Sequence, residues 1–131
     1  MKRLILLILF SLTILNAGSV KPLTNKNFNS VINSNKPVLV KFWASWCRPC
    51  QILEPRFEDV AKEYKGKIIF AKVNVDANVD IANRYYIRQL PTIVLFYKGQ
   101  EIDRLTGLPD RVYLREWANK ILDYLKKQRA N

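Results

Sequence analysis

Hydrophobic positions along the chain change their spacing several times, and each change marks a new structural element. Val38–Trp43 is a nearly continuous apolar run rich in β-forming residues, which is typical of a strand covered on both faces. From Cys47 or Arg48 to about Tyr64, apolar residues recur at helical spacing and predict a helix. Pro55 interrupts that pattern, but the apolar face resumes beyond it, which favours a kink over a helix end.

The same patterns predict the remaining elements. They are a short helix with Phe28 on its apolar face, strands over residues 68–75, 91–97 and 101–106, a short helix over 78–86, and a last helix that Asp110 can cap. The last two strands form a hairpin around Lys98-Gly99-Gln100. With an edge strand before the first helix, this order predicts an α/β fold in which one sheet carries helices on both faces.

Residues 1–19 follow a pattern of their own. Met1-Lys2-Arg3 is basic, a twelve-residue apolar run follows from Leu4 to Leu15, and residues 16–19 supply small side chains suited to cleavage. This is the layout of a secretory signal peptide, and it is favoured over a buried core helix. The run is shorter than the ~20 residues that usually span a bilayer, so an uncleaved anchor is the second alternative. We therefore expect residues 1–19 to be a signal peptide or N-terminal anchor and residues 20–131 to be the folded domain.

The charge of the chain restricts its partners. Lysine and arginine number 22 against 11 aspartates and glutamates, for a formal charge of +11. The basic residues are scattered, and the sequence contains no known nucleic-acid module or basic stripe with interleaved aromatics. We therefore expect no nucleic acid partner. A dispersed positive surface serves solubility, or attraction to acidic partners and anionic membrane surfaces.

Cys47 and Cys50 are the only cysteines, and histidine is absent. Structural zinc takes four Cys, His or carboxylate ligands, so we expect no metal unless two chains share a site. A structural disulfide would suit an exported protein, but a bridge over two intervening residues closes a very short loop and adds little stability. The third alternative is a reactive dithiol, and it is favoured by the position of the pair at the junction of a strand and a helix.

That junction has a chemical consequence for the first cysteine. Unpaired backbone N–H groups at a helix N-terminus favour an anion, and the thiolate is the reactive form of cysteine. Arg48 adds a cation beside Cys47. Cys50, one turn into the helix, would be more sheltered and placed to attack a mixed disulfide on Cys47, as thiol–disulfide exchange requires.

The motifs occur in an order that resembles the thioredoxin family. They are Phe42-Trp43-Ala44, Trp46-Cys47-Arg48-Pro49-Cys50, Pro55, Val73-Asn74-Val75-Asp76, Leu90-Pro91-Thr92, Lys98-Gly99 and Gly107, within a region from Leu23 to Leu125. The resemblance implies a thioredoxin-like three-layer sandwich, a central mixed β-sheet flanked by four helices. It also implies that Cys47 attacks, that Cys50 resolves, and that no cofactor is needed beyond this dithiol.

The same resemblance implies a substrate surface around the cysteines. Pro91 should be cis and face the pair, and the backbone of Leu90 should hold an extended substrate chain in strand-like pairing. Trp46, beside Cys47, is expected to be exposed in the substrate groove. The expected partners are therefore protein thiols and disulfides.

Departures from the family pattern bear on the redox chemistry. Arg48 stands where thioredoxins usually have glycine, and Lys41 stands at the position of a buried aspartate that helps to deprotonate the resolving cysteine. A lysine there stabilises thiolates and hence the reduced protein, which predicts a potential less reducing than about −270 mV. Burial could instead leave Lys41 partly neutral, so that it acts as the base itself. Lys72 matches another family lysine, and repulsion favours one lysine being neutral or swung outward. Alternatively, Lys41 snorkels to the surface. With Pro49, these are the candidate redox-tuning residues.

Together these inferences predict a single-domain, exported thiol–disulfide oxidoreductase of the bacterial periplasm. We expect a monomer that exchanges electrons with a membrane-bound redox partner. A reductase is favoured because Trp-Cys-x-Pro-Cys resembles thioredoxins more than dedicated oxidases. An oxidase or isomerase is the nearest alternative, and it is followed by a redox-inactive binding or chaperone module. A factor that keeps apocytochrome thiols reduced ranks lower, since no insertion marks such narrow specificity.

Overall fold

The computed structural model describes residues 18–131, which form one five-stranded sheet with four helices. The elements are β1 (Val20–Pro22), α1 (Phe28–Ile32), β2 (Val38–Trp43), α2 (Arg48–Glu63), β3 (Ile69–Asn74), α3 (Val79–Arg84), β4 (Thr92–Tyr97), β5 (Gln100–Thr106) and α4 (Arg111–Ala130). The predicted order of elements is confirmed. The apolar run assigned to a leader, residues 4–15, lies outside the described residues.

The sheet is mixed, with the strand order β1-β3-β2-β4-β5. β1, β3 and β2 are parallel, whereas β4 runs antiparallel to β2 and β5 antiparallel to β4. Lys98 and Gly99 connect β4 to β5 with φ angles of 50° and 80°, the left-handed conformation that a two-residue hairpin turn requires. The predicted hairpin is therefore confirmed, and its turn occupies the two positions between Tyr97 and Gln100.

Side chains alternate between the two faces of the sheet, and both faces are covered. Leu39 belongs to the core cluster that α2 and α4 complete with Leu53, Phe57, Leu114 and Ile121. Val38, Val40 and Phe42 belong to the opposite cluster, with Phe28 of α1 and Ile81 of α3. Because strand side chains have a period of two, Lys41 lies on the same face as Leu39, the face that packs against α2. The thioredoxin-like three-layer fold is confirmed.

Two helix starts depend on side-chain caps. Asp110 caps α4, where its Oδ1 accepts a hydrogen bond from the backbone N–H of Tyr113 at 2.8 Å, as the sequence predicts. Cys47 caps α2, which continues through Pro55 to Glu63. Among residues 18–131, no helix is both long enough and apolar enough to cross a bilayer.

Candidate active site

The two cysteines lie where β2 ends and α2 begins. Cys47 is the N-cap of α2 and has an extended backbone, with φ −87° and ψ 107°. Its Sγ accepts a hydrogen bond from the backbone N–H of Cys50 at 3.2 Å. Arg48 and Pro49 occupy the first turn, where proline is tolerated because its missing N–H would have no helical partner. The sulfur of Cys47 therefore occupies the position at which a helix stabilises negative charge.

Cys47 and Cys50 form a disulfide with a Cα–Cα distance of 5.3 Å. Only 5% of Cys47 and 2% of Cys50 is exposed, so Cys50 is the more sheltered of the two by a small margin. Ala44 completes this buried cluster, and Trp43, Val75 and Leu90 pack against it. Both sulfurs are consequently enclosed by apolar side chains that come from three separate parts of the chain.

Leu90 and Pro91 approach the cysteines from the loop before β4. The Leu90–Pro91 peptide bond is cis, in agreement with the resemblance. Leu90 is half-buried against the cysteine cluster, whereas Pro91 is buried, and its carbonyl accepts a hydrogen bond from Gly107 N–H at 3.1 Å. Thr92 braces the loop, since its hydroxyl donates to the carbonyl of Gln89 at 2.7 Å. The fold thus places Leu90 beside the disulfide.

Trp46 is the most exposed aromatic side chain next to the disulfide, with 70% of its surface accessible. Its Nε1 donates to Asp76 Oδ2 at 2.9 Å, which fixes the indole against the loop after β3. Asp76 ends the motif Val73-Asn74-Val75-Asp76, but its contact with Trp46 joins residues 30 positions apart, and no local pattern indicates it. Arg48 and Pro49 are also exposed, so the surface around Cys47 combines an aromatic ring, a cation and a proline.

Lys41 and Lys72 meet a carboxylate that the sequence reasoning missed. The two lysines are paired in register on β2 and β3. Lys41 Nζ donates to Glu54 Oε2, and Lys72 Nζ donates to Glu54 Oε1 at 3.2 Å. Glu54 follows Cys50 by four residues, a spacing that puts both on one face of α2. The four-residue spacing from Cys50 was therefore the one feature of the sequence that could have indicated Glu54 as part of the site.

The position of Lys41 corrects two expectations. The side chain of Lys41 is 0% exposed, so it does not snorkel to the surface. Lys72 is 25% exposed and shares the carboxylate of Glu54, so neither lysine is swung outward to relieve repulsion. The outward position was wrong because that expectation left out Glu54, whose carboxylate accepts a hydrogen bond from each ammonium group.

Burial and ion pairing shift the pKa values of Lys41 and Glu54 in opposite directions. Burial lowers the pKa of Lys41 below its ordinary value, and the hydrogen bond and attraction of Glu54 only partly oppose that effect. For Glu54, burial raises the pKa, but the hydrogen bond and charge of Lys41, with those of Lys72, outweigh it and lower the pKa overall. The carboxylate is therefore held ionised at neutral pH, and it is the partner that favours a charged Lys41.

The arrangement supports disulfide exchange and not metal binding. Over the described part of the chain, no group of three or more His, Cys, Asp or Glu residues could hold a metal ion. Cys47 has the helix N-terminus that stabilises a thiolate, and Cys50 is already within bonding distance of it. This geometry can alternate between a dithiol and a disulfide without any bound group.

Comparison with known proteins agrees with this chemistry. The family described as thioredoxin matches residues 19–120. A thioredoxin of Rickettsia felis is 44% identical over 98 residues, 74% of this chain and 93% of its own. A thioredoxin of Chlorobaculum thiosulfatiphilum is 47% identical over 92 residues, 70% of this chain and 85% of its own. The crystal structure of Malassezia sympodialis thioredoxin (Mala s 13) has a TM-score of 0.73 at 36% identity, covering 79% of this chain and 91% of that one. The chain belongs to the thioredoxin family and is a thiol–disulfide oxidoreductase that acts on protein disulfides through a cysteine pair, without a cofactor.

Proposed function

We propose that this protein is an exported disulfide reductase in which Cys47 attacks and Cys50 resolves. The observation that carries the proposal is the position of Cys47 at the N-cap of α2, bonded to Cys50 and flanked by Leu90. A helix N-terminus stabilises the thiolate needed for attack. Cys50 is a suitable resolving group because it is the more enclosed sulfur.

The reaction proceeds by two exchanges. The Cys47 thiolate attacks one sulfur of the substrate disulfide, so a Cys47–substrate bond forms and the first substrate thiolate leaves. Cys50 then loses its proton and attacks Cys47 Sγ, which forms the Cys47–Cys50 bond and releases the second substrate thiolate. Two electrons pass from the dithiol to the substrate, and the dithiol of another protein must restore the reduced form.

The substrate contacts proposed here are Trp46, Leu90 and Pro91. Trp46 offers an exposed ring that Asp76 holds in place. Leu90 lies beside the disulfide, and its backbone precedes the strand β4. An extended substrate chain can pair with such a backbone segment without strict side-chain requirements, which suits a reductase of many protein disulfides.

The proposed redox-tuning residues are Arg48, Pro49, Lys41 and Lys72. Arg48 is an exposed cation next to Cys47, and Lys41 is a buried one on the sheet face beneath α2. Glu54 neutralises one of the two lysine charges, so Lys41, Lys72 and Glu54 together retain one net positive charge. That charge supports a potential less reducing than the thioredoxin value of about −270 mV.

Export, a periplasmic location, a membrane-bound redox partner and a monomeric state are part of the same proposal. Export, the location and the redox partner rest on the basic, apolar and small-residue order of residues 1–19 and on the oxidising compartment that such a leader implies. Fractionation of cells that express the full chain with a C-terminal tag tests export and the location. Recovery in the periplasm or on the outer face of the inner membrane supports it, and recovery in the cytoplasm contradicts it.

One set of assays on the purified domain separates reductase from oxidase. Equilibration in glutathione buffers gives the potential, insulin reduction gives the reductase activity, and Cys50→Ala traps substrates on Cys47. A reductase reduces insulin rapidly, and its Cys50→Ala variant is trapped on substrates that carry a disulfide, whereas an oxidase has a higher potential and reduces insulin slowly. Full function of Cys47→Ser in cells would instead support a redox-inactive binding or chaperone module.

A further inference from the structure

A buried charge under the active site, proposed above to raise the redox potential, has no assigned role in either exchange step. Of the charged side chains in residues 18–131, Lys41 alone is buried. Its Nζ lies 5.2 Å from the centre of the Phe57 ring and pairs with Glu54. Burying an ammonium group is costly, and an apolar residue in its place would often be neutral or stabilising. Stability therefore gives no reason for a lysine here.

Lys41 and the cysteines share their surroundings. Trp43 follows Lys41 by two residues, so both side chains lie on the face of β2 that meets α2. Trp43 packs against the cysteine cluster, and Lys72 Nζ lies 5.7 Å from the centre of its ring. Glu54 lies one helical turn after Cys50, about 6 Å along the helix. Lys41 is thus held on the sheet face that α2 covers, and its partner Glu54 follows the resolving cysteine by one turn of that helix.

The resolving step is the one that needs a charge at this place. Cys50 must become a thiolate inside an apolar cluster before it can attack Cys47. Burial in apolar surroundings opposes that ionisation. Cys47 has the helix N-terminus to stabilise its thiolate, whereas Cys50 lies inside the helix and lacks that advantage. A nearby cation would stabilise the Cys50 thiolate.

We propose that Glu54 is a positioning residue for the resolving step: it holds the Lys41 ammonium group charged beneath α2, and that charge stabilises the Cys50 thiolate as it forms. The proposal rests on the roles given to Cys47 and Cys50 above, and it applies equally to a reductase and to an oxidase. No group is added to the reaction. The proton of Cys50 goes to water, and the electron pair of its thiolate forms the Cys47–Cys50 bond.

The charges that face Lys41 come from two neighbouring elements. Glu54 and Glu58 of α2 favour its charged form, and Lys72 of β3 opposes it. Of these three groups, Glu54 fixes the position of Lys41 as well as favouring its charge, because its carboxylate accepts a hydrogen bond from Lys41 and another from Lys72. Without that carboxylate, Lys41 would lose its proton at a lower pH, since its burial would be opposed only by the more distant Glu58.

The test isolates the resolving step with 5,5′-dithiobis(2-nitrobenzoate), a small disulfide whose thiolate is coloured. Mixed with an excess of reduced protein, it releases one thionitrobenzoate when Cys47 attacks and a second when Cys50 attacks Cys47 Sγ and displaces the thionitrobenzoate bound there. The rate of the second release, measured from about pH 6 to 9 and independent of protein concentration, reports the Cys50 step. Lys41→Met and Glu54→Gln are compared with Glu63→Gln, which removes a carboxylate of the same helix that pairs with Arg115 on the surface.

The variants should differ in their pH profiles. Lys41→Met removes the charge altogether, so its second release should be about tenfold slower at every pH below the ionisation of Cys50. Glu54→Gln should be slowed increasingly, relative to the original protein, as pH rises, because Lys41 loses its proton at a lower pH in this variant. The first release should change less in both variants, and Glu63→Gln should leave both releases unchanged.

Two outcomes overturn the inference. One is a second release in Lys41→Met with the rate and pH profile of the original protein. The other is a Glu54→Gln variant that is slowed by the same factor at every pH, which indicates a structural loss and not a change of charge. If Glu54→Gln does not fold, Lys41→Met alone decides. Failure of the original protein to give any second release would instead contradict the proposed roles of the cysteines.

Discussion

Removing either partner of the Lys41–Glu54 pair should affect stability very unequally. Lys41 is 0% exposed, whereas Glu54 is 39% exposed and keeps a second partner in Lys72. Glu54→Gln leaves the Lys41 ammonium buried without its counter-charge. Lys41→Met removes the buried charge, and its apolar side chain occupies space next to Phe57. The first substitution should therefore destabilise the protein, and the second should not.

The magnitude follows from the exposure of the two groups. Breaking a fully buried pair by removing one partner costs about 3–5 kcal/mol, but water already reaches part of Glu54, and glutamine still accepts a hydrogen bond. We therefore expect Glu54→Gln to lower the free energy of unfolding at pH 7 by about 1–3 kcal/mol. Lys41→Met should change it by less than about 1.5 kcal/mol in either direction, as apolar replacements of buried ion pairs and well-sized core substitutions do.

Urea unfolding of the oxidised protein measures both values. With a slope of about 1–3 kcal/mol per molar urea, the midpoint of Glu54→Gln should fall by roughly 1 M, and that of Lys41→Met should stay nearly constant. The loss should also depend on pH. Burial lowers the pKa of Lys41 in the folded protein below its unfolded value of 10.5, so the unfolded chain binds more protons between those two pKa values. The stability of Glu54→Gln should therefore recover as pH rises through that window.

Two results would refute this reasoning. The first is a loss of stability in Lys41→Met as large as that in Glu54→Gln, because it would mean that the ammonium group itself stabilises the fold. The second is a Glu54→Gln deficit that stays constant up to pH 10, because it would mean that the cost does not arise from a buried charge. Glu63→Gln, which breaks only a surface pair, is the control and should shift the midpoint little.

Three further predictions concern the groove, a cap and a turn. Trp46→Ala should lower stability by less than about 1 kcal/mol, since Trp46 is 70% exposed, but raise the KM for insulin several-fold; an unchanged KM would exclude Trp46 from substrate binding. Asp110→Ala removes the cap of α4 and should cost about 0.5–2 kcal/mol in urea unfolding, and no loss would contradict the cap. Gly99→Ala puts a Cβ 2.2 Å from Asn33 Oδ1 at a φ of 80°, so it should cost more than Gly66→Ala, where φ is 85° and the space is open; equal losses would show that crowding does not matter.

Much of the fold could be predicted from the sequence because its signals are local. The apolar run of β2, the helical spacing of α2 and the hairpin turn at Lys98-Gly99 each report a backbone preference or a buried face. The boundaries shifted by only one or two residues, as at β3, which begins at Ile69 and ends at Asn74. The cysteine pair was predictable for the same reason, since its chemistry depends on the start of the helix that contains it.

The charge environment of the cysteines could not be predicted in the same way. The sequence shows a lysine at position 41, where the family often has an aspartate, and this lysine and Lys72 were expected to repel each other. Whether a carboxylate lies between them depends on how α2 crosses β2 and β3, because Glu54 reaches both strands at once. The contact between Trp46 and Asp76 depends equally on the relative placement of two loops.

The amino-acid sequence alone predicts a mixed α/β domain with a dithiol at a helix N-terminus, and its motifs carry the likeness to thioredoxins that makes this pair an exchange centre. The packing of the elements in space shows, and the sequence does not predict, that Glu54 bridges Lys41 and Lys72 and that Asp76 holds Trp46. The difference lies in the distance along the chain over which each interaction acts. Caps, turns and periodic faces act within about one helical turn, whereas the field at a buried sulfur sums charges that the fold brings together from separate strands and helices.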